Sequence, residues 1–157
     1  MSFERRRVDV TFETKLESID LGEELARRVA RTAGFDDDEG HKISMAVRES
    51  LINAFQHGNR QDARKHIGLS FLLYPDRLVV EVRDEGGGFD LAQLPDPLAD
   101  ESLLKTSGRG IFLIRCFMDE FQVGSRCNGG AVVTMIKYMR VATRQAQGTA
   151  ETKENQP

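Results

Sequence analysis

"RLVVEVRDEGGGFD", residues 77 to 90, carries the reading on which the fold turns. Its first half has the composition of a buried strand. It then runs into an acidic pair, Asp84 and Glu85, and three glycines. A tight hairpin needs about two turn residues, so the glycine run calls for another explanation: a nucleotide or phosphate loop, a calcium loop, or a plain flexible turn. A calcium loop of the EF-hand kind requires acids at alternate positions and a later glutamate, and "DEGGGFDLAQLP" lacks that spacing. A Walker loop requires Gly-Lys-Ser/Thr, which is absent, and the dinucleotide pattern G-x-G-x-x-G fails because Leu91 stands where the third glycine belongs. The remaining reading is a nucleotide site that is not a P-loop. Asp84 at the strand end can accept a hydrogen bond from an adenine amino group, while Gly86 and Gly88 let the backbone approach base and sugar without a Cβ clash.

Working outward, "IGLSFLLY" precedes this strand, and Pro75-Asp76 between the two is a turn signal. "VDVTFET" (8 to 14) alternates apolar and polar residues, as a half-exposed strand does. Leu21, Leu25 and Val29, with Ala26 and Ala30, then predict a helix, for which Asp20 and Glu23 resemble a capping box and Gly34 is a stop. The acids Asp36 to Glu39 suit the positive end of a second helix. That helix carries Ile43, Val47, Leu51 and Ala54 on one stripe and should end near Gly58. Residues 91 to 107 lack periodicity and read as a long loop. "GIFLIRCFM" predicts a short buried helix opening at Gly110, and "EFQVGS" and "AVVTMIKYM" flank an Asn128-Gly129-Gly130 turn.

The order β-α-α-β-β-loop-α-β-β predicts an α+β two-layer sandwich: a mixed, mainly antiparallel sheet with helices on one face. The domain is expected over 1–141, followed by a disordered polar tail, 142–157.

Composition narrows the function classes. The 157 residues carry 25 acidic and 22 basic side chains, which gives no electrostatic case for direct nucleic-acid binding. The arginines Arg5 to Arg7 read as a solvated strand entrance. Cys116 and Cys127 form no Cys-x-x-Cys pair, which fits a reducing cytoplasm and two partly buried thiols better than a zinc site. No apolar run approaches the ~18 residues of a membrane span, and "MSFERRRVDV" is not a signal peptide.

On the second helix, "RESLINAFQHGN" (48 to 59) places Glu49 and Asn53 four apart, on one face, among the small residues Ala46, Ser50 and Ala54. A carboxylate and an amide in a roomy groove suit a magnesium ion whose remaining ligands are waters and phosphates; they also suit an ordinary polar helix face. "SGRGIF" (107 to 112) opens the short helix, where free N–H groups favour phosphates. Arg109 there either adds charge-assisted bonds or is solvated.

Together these segments resemble the GHKL ATPase superfamily, which includes gyrase-type ATPases and histidine kinases. "ESLINAFQHGN" looks like its N box, "DEGGGFD" like its first glycine box and "GRGIFLI" like its second. "GGAVVTMIK" looks like its closing strand, with Thr134 matching a threonine near the adenine-binding aspartate. The likeness is closer still to the small bacterial anti-sigma-factor serine kinases, whose segment after the ATP lid is similar to "GRGIFLIRCFMDEFQV". The resemblance implies a histidine-kinase-like ATPase fold using ATP and Mg2+. It implies Glu49 as the base toward a substrate serine, Asn53 as the magnesium ligand and Asp84 as the adenine reader. Gly86 and Gly88 would shape the pocket, and Gly108 and Gly110 would form the phosphate-binding lid end. Ala131 departs from the family, standing where a threonine is common. The implied partners are a sigma factor and an anti-sigma-factor antagonist as protein substrate, bound by a homodimer. The alternative is an ATP-binding regulatory module with little or no kinase activity. A histidine-kinase fragment fits less well: His41 lies on the same helix as Glu49, and the 48 residues before Glu49 already supply core elements.

Overall fold

The computed structural model describes residues 6–87 and 106–140. Strand β1 (Arg6–Glu13) leads into helices α1 (Leu16–Ala33) and α2 (Asp37–Asn53). A π turn, Ala54–Gly58, ends α2 and delivers the chain to β2 (His66–Leu73) and β3 (Arg77–Arg83). Helix α3 (Thr106–Phe117) and the hairpin β4 (Glu120–Ser125) and β5 (Ala131–Tyr138) complete the fold. The expected tail and Gly88 lie outside the described residues, as does the expected loop up to residue 105.

The sheet runs β1-β2-β3-β5-β4, and every pairing among the described residues is antiparallel. The crossover β3–α3–β4 does return β4 parallel to β3, but β5 inserts between them and pairs with both. This is why the expected mixed character yields no parallel ladder. Strand alternation sends Ile67, Leu69, Phe71 and Leu73 of β2, with Leu78, Val80 and Val82 of β3, toward Ile43, Val47 and Leu51 of α2 and Ile114 of α3. Each fully buried side chain of this size contributes about 1.5–3 kcal/mol. The other face of the sheet carries polar groups: Arg83 donates to Ser70 Oγ at 2.7 Å, and Ser70 donates to Asp9.

The helix ends follow local chemistry. Asp36 caps α2, its side chain accepting from the Glu39 N–H at 2.8 Å, and Gly34 closes α1 with φ of 105°. Two expectations are corrected. Helix α1 begins at Leu16, after an extended Lys15 that makes no side-chain cap, and Ser18 Oγ in its first turn donates to the Glu13 carbonyl at 2.6 Å. Asp20 and Glu23 are not a capping box; both accept from Arg48 Nη1 of α2, at 2.8 and 2.6 Å. The buried face of α1 consists of Ser18, Ile19, Ala26, Val29 and Ala30 with Gly22, which lies under Leu51, while Leu21 is 58% exposed. Helix α3 opens at Thr106, a turn earlier than Gly110. Cys116 and Cys127 are both exposed and unpaired, in place of the partly buried thiols expected.

One cation points into the helix layer. Lys137 is 5% exposed; its Nζ lies 3.0 Å from Glu39 Oε2 and 3.8 Å from Asp119 Oδ1, and donates to the Phe117 carbonyl at 2.9 Å. It ties the first turn of α2 to the end of α3 across β5. Lys137→Ala would leave Glu39 with only the looser Lys42 contact at 3.7 Å and free the Phe117 carbonyl, so it is expected to lower the unfolding free energy by about 1–3 kcal/mol in urea titrations. A loss under about 1 kcal/mol would match an ordinary surface pair instead.

Candidate nucleotide site

Asp84 leaves β3 at a place where three stretches of backbone converge. Its N–H donates to the Ala131 carbonyl at 3.1 Å, and its Oδ1 accepts from the N–H groups of Gly86 and Ala131, both at 3.0 Å. Arg126, in the β4–β5 turn, donates to the Asp84 carbonyl at 2.9 Å. No side chain fits between these segments. A Cβ on Gly86 would lie 1.8 Å from the Gly58 carbonyl oxygen, one on Gly58 would lie 2.3 Å from Asp84 Oδ2, and one on Gly130 would lie 2.1 Å from the Asp84 carbonyl oxygen.

Asn59 holds Gly58 in that position. Fully buried, it donates through Nδ2 to Thr14 Oγ1 at 2.9 Å and to the His66 carbonyl at 3.0 Å, and accepts the Glu85 N–H on Oδ1 at 2.7 Å. The amide thereby joins the exit of β1, the start of β2 and the end of β3. The widened turn before it is closed by the Asn59 N–H on the Ala54 carbonyl at 2.8 Å. The chain then leaves through Arg60 and Gln61, both with positive φ. Such left-handed non-glycine residues cost roughly 1–2 kcal/mol each, and the Asn59 bonds help offset that cost.

Asp84 lines an open pocket of about 370 Å³, counted to its mouth. Ser50 and Asn53 of α2 form one wall with Ala54 and Gly58 of the π turn; Val82, Ala131 and Val133 form the sheet wall; Ile111, Ile114 and Phe121 complete the apolar lining. A mostly apolar slot with a carboxylate at one end suits a flat heterocycle bearing an amino group.

At the lip, α3 meets the polar face of α2. A Cβ on Gly110 would stand 2.9 Å from Glu49 Oε2 and 3.6 and 3.7 Å from the Asn53 amide atoms, so glycine is what lets the helices come this close. Glu49 is half-buried, and desolvation raises its pKa above the ordinary glutamate value, against a smaller lowering by Arg48. A carboxyl so placed is a better proton acceptor than a solvated one.

The structure therefore brings together Glu49, Asn53, Asp84, Gly86 and Gly110. Gly108 and Arg109 lie in the first turns of α3, with Arg109 exposed. Gly88 falls outside the described residues. Thr134 is a correction. It pairs with Glu81 and Gln122 on the sheet face away from the helices, and its neighbour Val133 lines the pocket. Alternation along β5 gives the pocket Ala131 and Val133, and no hydroxyl. Asn59 and Arg126 were not foreseen. The Gly58-Asn59 pair after the helix was the available signal for the first; nothing local marks the second.

Residues 12–137 match the histidine kinase-like ATPase domain family. The serine-protein kinase RsbW of Bacillus subtilis (strain 168) is 34% identical over 119 residues, which is 71% of this chain and 72% of that protein. The chain belongs to this family, among its anti-sigma-factor serine-protein kinases. The RsbW kinase of Listeria monocytogenes serovar 1/2a (strain ATCC BAA-679 / EGD-e) is 27% identical over 139 residues, 85% of this chain and 87% of its own. Among solved structures, the RsbU and RsbW domains of Rv1364c from Mycobacterium tuberculosis share the fold, with a TM-score of 0.61 and 18% identity over 87% of this chain. The chain spans 34% of that longer one. Membership makes the protein an ATP-using serine kinase, and the pocket fits that ligand: its glycine cradle and the Asp84 carboxylate suit an amino-bearing base.

Asp84→Asn preserves an oxygen for the two backbone N–H groups but replaces the second acceptor with a donor. It is expected to weaken ATP binding about 10- to 100-fold by calorimetric titration, with an unchanged circular dichroism spectrum. Asp84→Ala would also strand those N–H groups and is expected to cost stability as well.

Proposed function

We infer that this kinase, as a homodimer in the cytoplasm, transfers the γ-phosphoryl group of ATP to a serine of a small anti-sigma-factor antagonist, and that it sequesters a sigma factor in competition with that substrate. The observation that carries the reading is the meeting of Glu49 and Asn53 with Gly110 at the lip of the Asp84 pocket. ATP supplies the phosphoryl group, and magnesium neutralises its charge.

The chain's own residues then divide the work. Asp84 accepts from the base and fixes nucleotide identity. Asn53 offers an amide oxygen to magnesium. Among the described residues no group of three or more His, Cys, Asp or Glu gathers as a metal site, so phosphates and water would complete its shell. Glu49 orients the substrate hydroxyl and takes its proton. The first turn of α3 presents backbone N–H groups to phosphate oxygens. Leu16 and Leu21 on α1 and Val8 on β1 are exposed apolar side chains that a second copy of the chain would cover. Among the described residues no helix is long and apolar enough to cross a membrane.

The direct test is incubation with Mg2+, labelled ATP and candidate antagonists, followed by phosphoserine analysis. Glu49→Gln is expected to reduce transfer about 10²- to 10⁴-fold with ATP affinity kept; transfer at the wild-type rate would remove Glu49 from the base role. The acid limb of the wild-type rate profile is expected above the ordinary glutamate range, since the base works only when ionised. Stability has the opposite sense. A carboxyl whose folded pKa is raised contributes stability below its unfolded pKa, and that contribution is lost as pH rises through the folded value. At pH above that folded value the neutral glutamine is therefore expected to raise the thermal midpoint of the nucleotide-free protein while slowing transfer.

A further inference from the structure

Ser50 is the one buried side chain among the described residues whose polar atom has no hydrogen-bond partner. It is 1% exposed and lies in the wall of the Asp84 pocket. A serine inside a helix normally turns its hydroxyl back to a carbonyl three or four residues earlier, and Ser44 on the same helix does so, donating to the His41 carbonyl at 2.7 Å. The other buried hydroxyls are also occupied: Thr14 donates to the Lys65 carbonyl, Ser18 to the Glu13 carbonyl and Ser70 to Asp9. Leaving a buried hydroxyl unmatched costs about 1–3 kcal/mol, and alanine would fill the same space without that cost.

We propose that Ser50 is a specificity-determining residue, its hydroxyl donating to a ring nitrogen of the bound base beside the amino group that Asp84 accepts. The inference rests on the ATP-site reading and deepens it. A carboxylate selects only for a donor, so Asp84 alone would accept any amino-bearing base. Along its Watson–Crick edge adenine carries next to its amino group an acceptor, N1, where guanine carries beside its own amino group a second donor, N1–H. An O–H aimed at that position makes the pair a donor-plus-acceptor reader, and β5 cannot supply this group because Ala131 and Val133 bring no hydroxyl to the pocket. Within that lining, Ser50 and Asn53 are the neutral side chains able to donate, and Asn53 sits at the lip beside Gly110.

The test compares ATP with 1-deaza-ATP, in which a C–H replaces N1, on the full chain and on Ser50→Ala, by calorimetric titration. Wild type is expected to bind the deaza analogue about 2- to 10-fold more weakly than ATP. Ser50→Ala is expected to bind ATP more weakly by a similar factor and to treat the two ligands alike. A wild-type preference that survives in Ser50→Ala, or no preference in wild type, overturns the proposal while leaving the ATP site standing. Failure of wild type to bind either ligand overturns both. The thermal midpoint of the nucleotide-free variant is the second readout. It should equal or exceed that of wild type, whereas a drop with unchanged selectivity would make Ser50 a structural hydroxyl and sink the idea.

Discussion

The close approach of three backbone segments around Asp84 is the constraint on which the rest of the site depends. Gly58 arrives from the end of α2, Gly86 from beyond β3 and Gly130 from the β4–β5 turn, each close enough that a methyl group would collide. Such contact cannot be reached by adjusting one loop. The π turn must widen the exit of α2, Asn59 must fix that exit to the strands, and the hairpin must turn through two glycines of positive φ. In return the carboxylate receives two backbone N–H groups and is held rigidly with one oxygen on Gly58 and the pocket. A group held this way needs no reorganisation when a ligand arrives.

Stability and chemistry draw on different parts of the molecule. The apolar layer between sheet and helices, with Lys137 clamped at its edge, carries the fold. The site spends some of that stability through a desolvated Glu49, left-handed Arg60 and Gln61, and an unmatched Ser50 hydroxyl. These features cluster at the C-terminal half of α2 and the turn after it, as strained and unsatisfied groups tend to do at working sites.

The fold was largely legible because its signals are periodic or local. Alternation marked the strands, Gly34 and Asp36 marked helix ends, and the Asn128-Gly129-Gly130 turn marked the hairpin. Asp84 was legible because the glycines after it excluded the other loop types. What escaped depends on parity and distance. Thr134 differs from Val133 by one residue, and on a strand one residue is the difference between the two faces. Asp20 and Glu23 have the spacing of a cap, but i and i+3 also share a helix face, and that face meets Arg48. Asn59 reaches Thr14, 45 positions away, a contact no local pattern can report.

The nearness of Gly110 to Glu49 has a wider consequence. Part of what keeps water from that carboxylate is the opening half of α3, so the proton affinity of the residue is set by the position of a helix and not by its own chain segment alone. Drawing α3 away would hydrate Glu49 and return it toward ordinary acidity; bringing α3 back would make it hungry for a proton again. The helix thus contributes to the basicity of a carboxylate on another element by shielding it, without itself supplying a titrating group.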